Sequence, residues 1–153
     1  MKPRLDVIRV VRRYDAAPAR VFDAWLDPDI ATRWLFATAL HPLAHADIDG
    51  RVDGSFRFVD RRKGDIAQYT GEYIEIVPNR RLVFTLSMDK YLQAETRVSV
   101  DIAPVTNGCT LTLTHENVPR DRAEYVEGRW IGILYGLGVT LDSASAMFHH
   151  DEE

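Results

Sequence analysis

The stretch "GRWIGILYGLGVTL", residues 128–141, decides how the rest of the chain is read. Its apolar residues recur three and four apart, the spacing of one face of a helix. It also holds Gly128, Gly132, Gly136 and Gly138, the first three at a strict interval of four. An interior helical glycine costs roughly 1 kcal/mol relative to alanine, so the pattern needs a reason. A membrane helix with a small-residue contact stripe is one. The apolar run Trp130 to Leu141 is, however, only about 12 residues, against the ~20 that span a bilayer. A phosphate-cradling loop is another, but Gly136-Leu137-Gly138 sits inside helical periodicity and not in a strand-to-helix turn.

What remains is a long helix with two faces. At 100° per residue, Trp130, Leu134, Leu137, Leu141, Ala144 and Phe148 fall within about 40° of one direction, with Val126 and Ala123 alongside. That stripe needs an apolar surface to cover it. Gly132 and Gly136 point roughly the opposite way, with Gly128 near them. Ile131, Tyr135 and Val139 share that outer side, where a solvated flank would carry charges. A second copy of the chain is therefore expected on it, with Gly128, Gly132, Tyr135, Gly136 and Val139 at the interface of a homodimer. Cover by residues 35–46 of the same chain is the alternative.

Upstream, the period changes. "LDVIRVVRRY" (5–14) is a Val- and Ile-rich strand. Pro18 then opens a helix whose apolar face is Val21, Phe22, Trp25 and Leu26, and Asp27-Pro28 stops it. A second short helix is predicted from Asp29 to Trp34. From Asp47 the alternation is strand-like, broken by turn signals at Lys63-Gly64-Asp65, Pro78-Asn79 and Asn107-Gly108. Val98, Val100 and Ile102 alternate with Arg97, Ser99 and Asp101. Cys109, Leu111, Leu113 and His115 alternate with three threonines. The last helix is expected from near Asp121 to about Phe148. Helices segregated from an antiparallel sheet make the class α+β. The sheet has six to seven strands, two short helices lie between strands 1 and 2, and residues 1–153 form one domain.

Composition narrows the function. The net charge of −4 and the lack of a basic stripe exclude a general nucleic-acid binder. Arg61, Arg62 and Lys63 are interrupted at once by Gly64 and Asp65, which suits a solvated hairpin tip. One cysteine, Cys109, cannot form an internal disulfide, and the N-terminus has no apolar leader-like run. A cytoplasmic location without a membrane span is expected.

The motifs "APARVFDAWLDPDIATRW" (17–34), "DIDGRVDGSFRF" (47–58), "GEYIEIVPNRRLVFTL" (71–86), "CTLTLTHENVP" (109–119) and Trp130 with Leu134 and Leu137 occur in a telling order. Together they resemble the helix-grip (SRPBCC) superfamily of START domains and pollen-allergen ligand binders. Within it they are most similar to the activators of the 90-kDa heat-shock-protein ATPase. Three places depart from the family pattern. A glycine pair is replaced by Asp53-Gly54. A Gly-Trp pair in the last helix reads Arg129-Trp130. The stretch Trp34-Leu35-Phe36 lacks the proline that follows in the family, so the resemblance implies little for residues 35–46.

The resemblance implies a curved sheet wrapped around the last helix, with an elongated apolar cavity between them. Phe56, Phe58, Phe84 and Trp130 are the aromatic candidates to line it. Tyr69 and Tyr73 add apolar bodies with polar tips. Val98, Leu111, Leu134 and Leu137 complete the lining. The expected occupant is a small apolar or amphipathic molecule, lipid-, sterol- or polyketide-like. Two alternatives stand beside this: a co-chaperone contact with the 90-kDa chaperone, which the family's name suggests, and a cavity enzyme using His115 or a tyrosine as acid/base.

Catalytic signatures are otherwise missing. There is no G-x-S-x-G, P-loop or G-x-G-x-x-G. His41, His45 and Asp47 have suggestive spacing, but Pro42 and a loop-like context separate them, so no metal is expected. His149 and His150 belong to the chain's end, and no cofactor is implied. His115 is read as a half-solvated residue at a strand end bonded to backbone; a catalytic role for it is the weaker reading. Glu72, Glu75 and Glu116 are read as outward-facing.

Overall fold

A computed structural model describes residues 4–36, 45–62, 65–88 and 92–151; at 45, 60–62, 65–67, 92–94 and 143–151 it is the backbone alone that is described. Strand β1 (Leu5–Tyr14) leads into α1 (Pro18–Leu26) and α2 (Pro28–Trp34). Six strands follow: β2 (His45–Ile48), β3 (Ser55–Arg62), β4 (Asp65–Val77), β5 (Arg81–Met88), β6 (Leu92–Val105) and β7 (Gly108–Pro119). A 3-10 turn at Arg120–Arg122 precedes the 29-residue helix α3 (Ala123–Asp151). The order across the sheet is β1-β7-β6-β5-β4-β3-β2, antiparallel at every pairing. The chain is therefore an α+β helix-grip fold: a seven-stranded curved sheet around the long last helix.

Local chemistry explains the element ends. Pro18 starts α1, where its missing N–H is no loss. Asp27 then closes α1 and caps α2, its side chain accepting from the Asp29 amide at 2.9 Å. The turns at Asn79 and Asn107 place asparagine at φ 66° and 62°, a region that asparagine tolerates better than most residues. Curvature comes from irregular pairing. Register shifts fall at Asp6/Ile8, Tyr73/Glu75 and Leu86/Met88, and each such extra residue bends its strand and increases its twist.

The concave face and α3 enclose the core. Val126, Trp130, Ile133, Leu134, Leu137 and Leu141 of α3 are buried against it. Ile133 extends the stripe that the sequence outlines, while the side chains of Ala144 and Phe148 lie outside the described residues. Two corrections concern the segment after α2 and the outer helix face. His45 begins a strand and is not in a loop, because residues 45–48 pair with Phe56–Val59 of β3. Gly136 does not face away from the chain: a Cβ there would lie 3.8 Å from Trp34 Cβ, since α2 packs along the flank of α3.

Two glycines differ in what they tolerate. A Cβ at Gly132 would meet nothing within 4 Å. A Cβ at Gly71 would collide with the Thr85 carbonyl oxygen and the Phe56 ring, so β4 can approach β5 there without a side chain only. Gly132→Ala is expected to stabilise the fold by up to about 1 kcal/mol, read as a higher urea midpoint. Gly71→Ala is expected to lower that midpoint sharply or prevent folding. Equal effects of the two substitutions would contradict this account.

Candidate functional site

The site is built around a buried chain of hydrogen bonds. His115, on β7, has no exposed surface. Trp130 Nε1–H donates to His115 Nδ1 at 3.0 Å, and His115 Nε2 lies 2.7 Å from Thr96 Oγ1. Thr96 Oγ1–H donates to the Leu86 carbonyl at 2.7 Å. These contacts fix the protons. An indole nitrogen can only donate, so Nδ1 must accept and the imidazole proton sits on Nε2. The Thr96 oxygen accepts that proton's bond while its own hydrogen goes to Leu86. Every side-chain polar atom of this relay is satisfied. Burial pushes the imidazole pKa down to about 4, because a charged ring would lose hydration and present a second N–H to the indole.

This overturns the half-solvated, backbone-bonded picture of His115. Strand phase alone points it inward; its partners sit on two other elements. Both ring nitrogens are held by protein groups, which leaves neither to serve a substrate in this arrangement.

Beside the relay lies an aromatic chamber between the sheet, α1 and the two residues that follow α2. Trp25, Leu35, Phe36, Phe56, Phe58, Tyr73, Leu82 and Phe84 surround a gap of about 10 Å³. The rings interlock edge to face: Phe56 meets Phe84 at 5.3 Å and 88°, and Trp25 meets Trp34 at 4.7 Å and 86°. Among the described residues, this part of the expected cavity is filled by side chains, with room for about one water. Trp34 Nε1–H donates to the Ala24 carbonyl and joins α2 to α1. Trp25 Nε1–H is buried and has no acceptor among the described residues. Burial also raises the phenol pKa of Tyr73 well above its usual range, with Asp49 adding to the effect.

The ten residues that the sequence nominates for the lining are all buried and share one core. Phe56, Phe58, Tyr73 and Phe84 face the gap directly. Tyr69 and Trp130 stand behind Phe36. Val98, Leu111, Leu134 and Leu137 pack elsewhere in the core and do not line the gap. Trp25, Leu35, Phe36 and Leu82 do line it and were not nominated. Trp25 was legible as part of an apolar helix face, but Leu35 and Phe36 carry no periodic signal.

Further hydrogen bonds hold α3 against this wall. Tyr14 Oη–H donates to the Leu134 carbonyl at 2.7 Å, and Arg20 Nη2–H to the Leu141 carbonyl at 2.9 Å. Arg129 Nη2–H donates to Tyr69 Oη at 3.1 Å. On the opposite side of α3, Gly128 and Gly132 are exposed, and Tyr135 and Val139 are 59% and 49% exposed. Glu72 is exposed, whereas Glu75 and Glu116 are half-buried. His41 and the side chains of His45, Lys63, His149 and His150 lie outside the described residues. No described helix is long and apolar enough to cross a membrane.

The family described as "Activator of Hsp90 ATPase homolog 1-like protein" matches residues 15–142, from the end of β1 through most of α3. The chain belongs to that family. Among solved structures, a Chromobacterium violaceum protein is 27% identical, with a TM-score of 0.79 over 87% of this chain and 94% of its own. A Staphylococcus aureus protein of unknown function is 14% identical and shares the fold, with a TM-score of 0.83 over 95% of this chain and 98% of its own. DynU16, from the dynemicin biosynthetic locus, shares it too at 20% identity and a TM-score of 0.75, over 91% of this chain and 48% of its own. No curated protein matches the sequence.

In this member of the family the relay makes stability depend on pH. The free imidazole takes up its proton near 6.5 and the folded one near 4, so as pH falls the unfolded chain is protonated first. The contribution of His115 is complete above about pH 6.5, declines from there to about pH 4, and is lost below, a total of about 3 kcal/mol. Urea unfolding of wild type and His115→Gln at pH 7 and pH 4 should show their stability difference shrinking by about that amount. Parallel pH profiles would argue that the neutral ring is not what the fold requires.

Proposed function

We propose that the chain binds a small apolar or amphipathic molecule between the curved sheet and α3, in the aromatic chamber beside Trp25. The observation that carries this is the buried Trp25 Nε1–H on the chamber wall, which has no acceptor among the described residues. Such a donor costs about 1–3 kcal/mol when left unmade, and an acceptor oxygen on a ligand relieves that cost. The lining is otherwise apolar, as small-molecule sites are, with few polar groups to orient the guest. Membership of a helix-grip family with this layered architecture is consistent with the reading.

The gap of about 10 Å³ means that binding must move side chains. Leu35 and Phe36 are the wall residues that belong to neither the sheet nor a helix. They follow α2, and displacing them leaves the strand ladders and α3 intact. Opening of the chamber is therefore read as local.

All three tryptophans are buried in this core, so occupancy should alter their emission. The protein is titrated with the neutral probe N-phenyl-1-naphthylamine, a fatty acid and a sterol. The expected result is saturable binding by at least one, with a tryptophan spectral change. A ligand at about 100 times its Kd should add about 2.7 kcal/mol of stability. Trp25→Phe, which removes the orphan N–H, should weaken binding of oxygen-bearing ligands more than that of a hydrocarbon. Absence of saturable binding by every probe would count against the proposal.

A further inference from the structure

Phe36 fits poorly with its own backbone. It stands at φ 60°, in the left-handed region. That conformation is strained for an L-residue with a bulky side chain. Its ring compensates by deep burial, at 1% exposure. It lies parallel to Tyr69, centroids 4.5 Å apart and planes 4° from parallel. Phe58 meets it edge-on at 5.3 Å, and Trp130 is 5.8 Å away. The ring is thus a planar guest in a slot made by three other aromatics, held there against local strain. Strained residues of this kind persist only where their surroundings over-determine them.

The same slot adjoins a charge that no described carboxylate balances. Arg129 reaches Tyr69 Oη with one nitrogen, while its Nε–H is buried without an acceptor among the described residues. Among the described residues no carboxylate pairs with it. A guanidinium stays charged at any working pH, and a half-buried one without an anion is poorly compensated.

We infer that Phe36 holds the place of a planar aromatic carboxylate, which displaces it, stacks on Tyr69 and pairs with the Arg129 guanidinium. The inference rests on the proposal that a small molecule binds between the sheet and α3, and names its chemical class. A flat ring matches the Tyr69 face that Phe36 now covers. A single negative charge matches a single guanidinium, which can grip a carboxylate through two parallel hydrogen bonds. A doubly charged phosphate would leave one charge unpaired in apolar surroundings.

A matched pair of probes tests this: 2-naphthoate and 2-naphthalenemethanol, which share a ring system and differ in charge. Both are titrated by calorimetry at pH 7 into wild type, Phe36→Ala, Arg129→Gln and the double variant, with folding checked by circular dichroism. Phe36→Ala should bind the acid at least about tenfold more tightly than wild type. It should also prefer the acid over the alcohol by about tenfold, the scale of one charge-assisted pair. Arg129→Gln should erase that preference and leave binding of the alcohol in place. Should Phe36→Ala fail to fold, Phe36→Leu replaces it, and wild type against Arg129→Gln still reads the charge dependence. Equal binding of acid and alcohol, a preference that survives Arg129→Gln, or an acid affinity unchanged by the Phe36 substitution would each overturn the inference while leaving ligand binding standing. Binding of neither compound to any variant would remove both.

Discussion

The donation from Trp130 to His115 is the interaction on which the rest of the interior depends. It is the first link of a relay that runs from α3 through β7 and β6 to the Leu86 carbonyl of β5. Apolar packing alone would let a smooth helix rotate or slide in a curved sheet. A directional bond between fully buried groups does not, because losing it strands a donor and an acceptor together. With the Trp130 ring fixed, its neighbours Trp25, Phe36 and His115 have defined faces to pack on. The relay therefore sets the phase of α3, and the phase decides which of its residues reach the core and which reach water.

Much of this architecture was legible in the order of elements. Alternation of Val98, Val100 and Ile102, and of Cys109, Leu111 and Leu113, marked half-buried strands whose inner residues are indeed in the core. Pro18, Asp27-Pro28 and Asn107-Gly108 marked element ends because their backbone chemistry is local. The relay was not legible, because Thr96 and His115 meet only once β6 and β7 are in register, and register is not a local property. Phase put His115 on the inner face, but a strand-end histidine with no visible partner reads as solvated. The Gly136 contact failed for a similar reason: a helical wheel knows the direction of a residue and nothing of α2 beside it.

Phe36 marks the limit of such reasoning for the site. It lies in no periodic element, follows a helix that has just ended, and adopts a backbone angle that its side chain disfavours. Each local cue argues against a central position, yet it is among the most buried rings in the chain. Arg129 was visible as a departure from a resembling pattern, but its meaning depended on the Tyr69 hydroxyl across the chamber. Places where local preference and tertiary position disagree are where function or strain is expected. Here the two disagreements adjoin one another through a single tyrosine.

The position of β1 has a consequence for how the sheet closes. Its first ten-residue strand pairs with β7 alone, from Leu5 with Pro119 to Tyr14 with Cys109. That partner follows roughly a hundred residues later in the chain, so this pairing closes the longest loop in the sheet, at the largest loop-closure entropy. Arg9, Arg12 and Arg13 are spaced along β1. β1 remains an edge of the finished sheet, so these arginines place like charges where another copy's edge would pair.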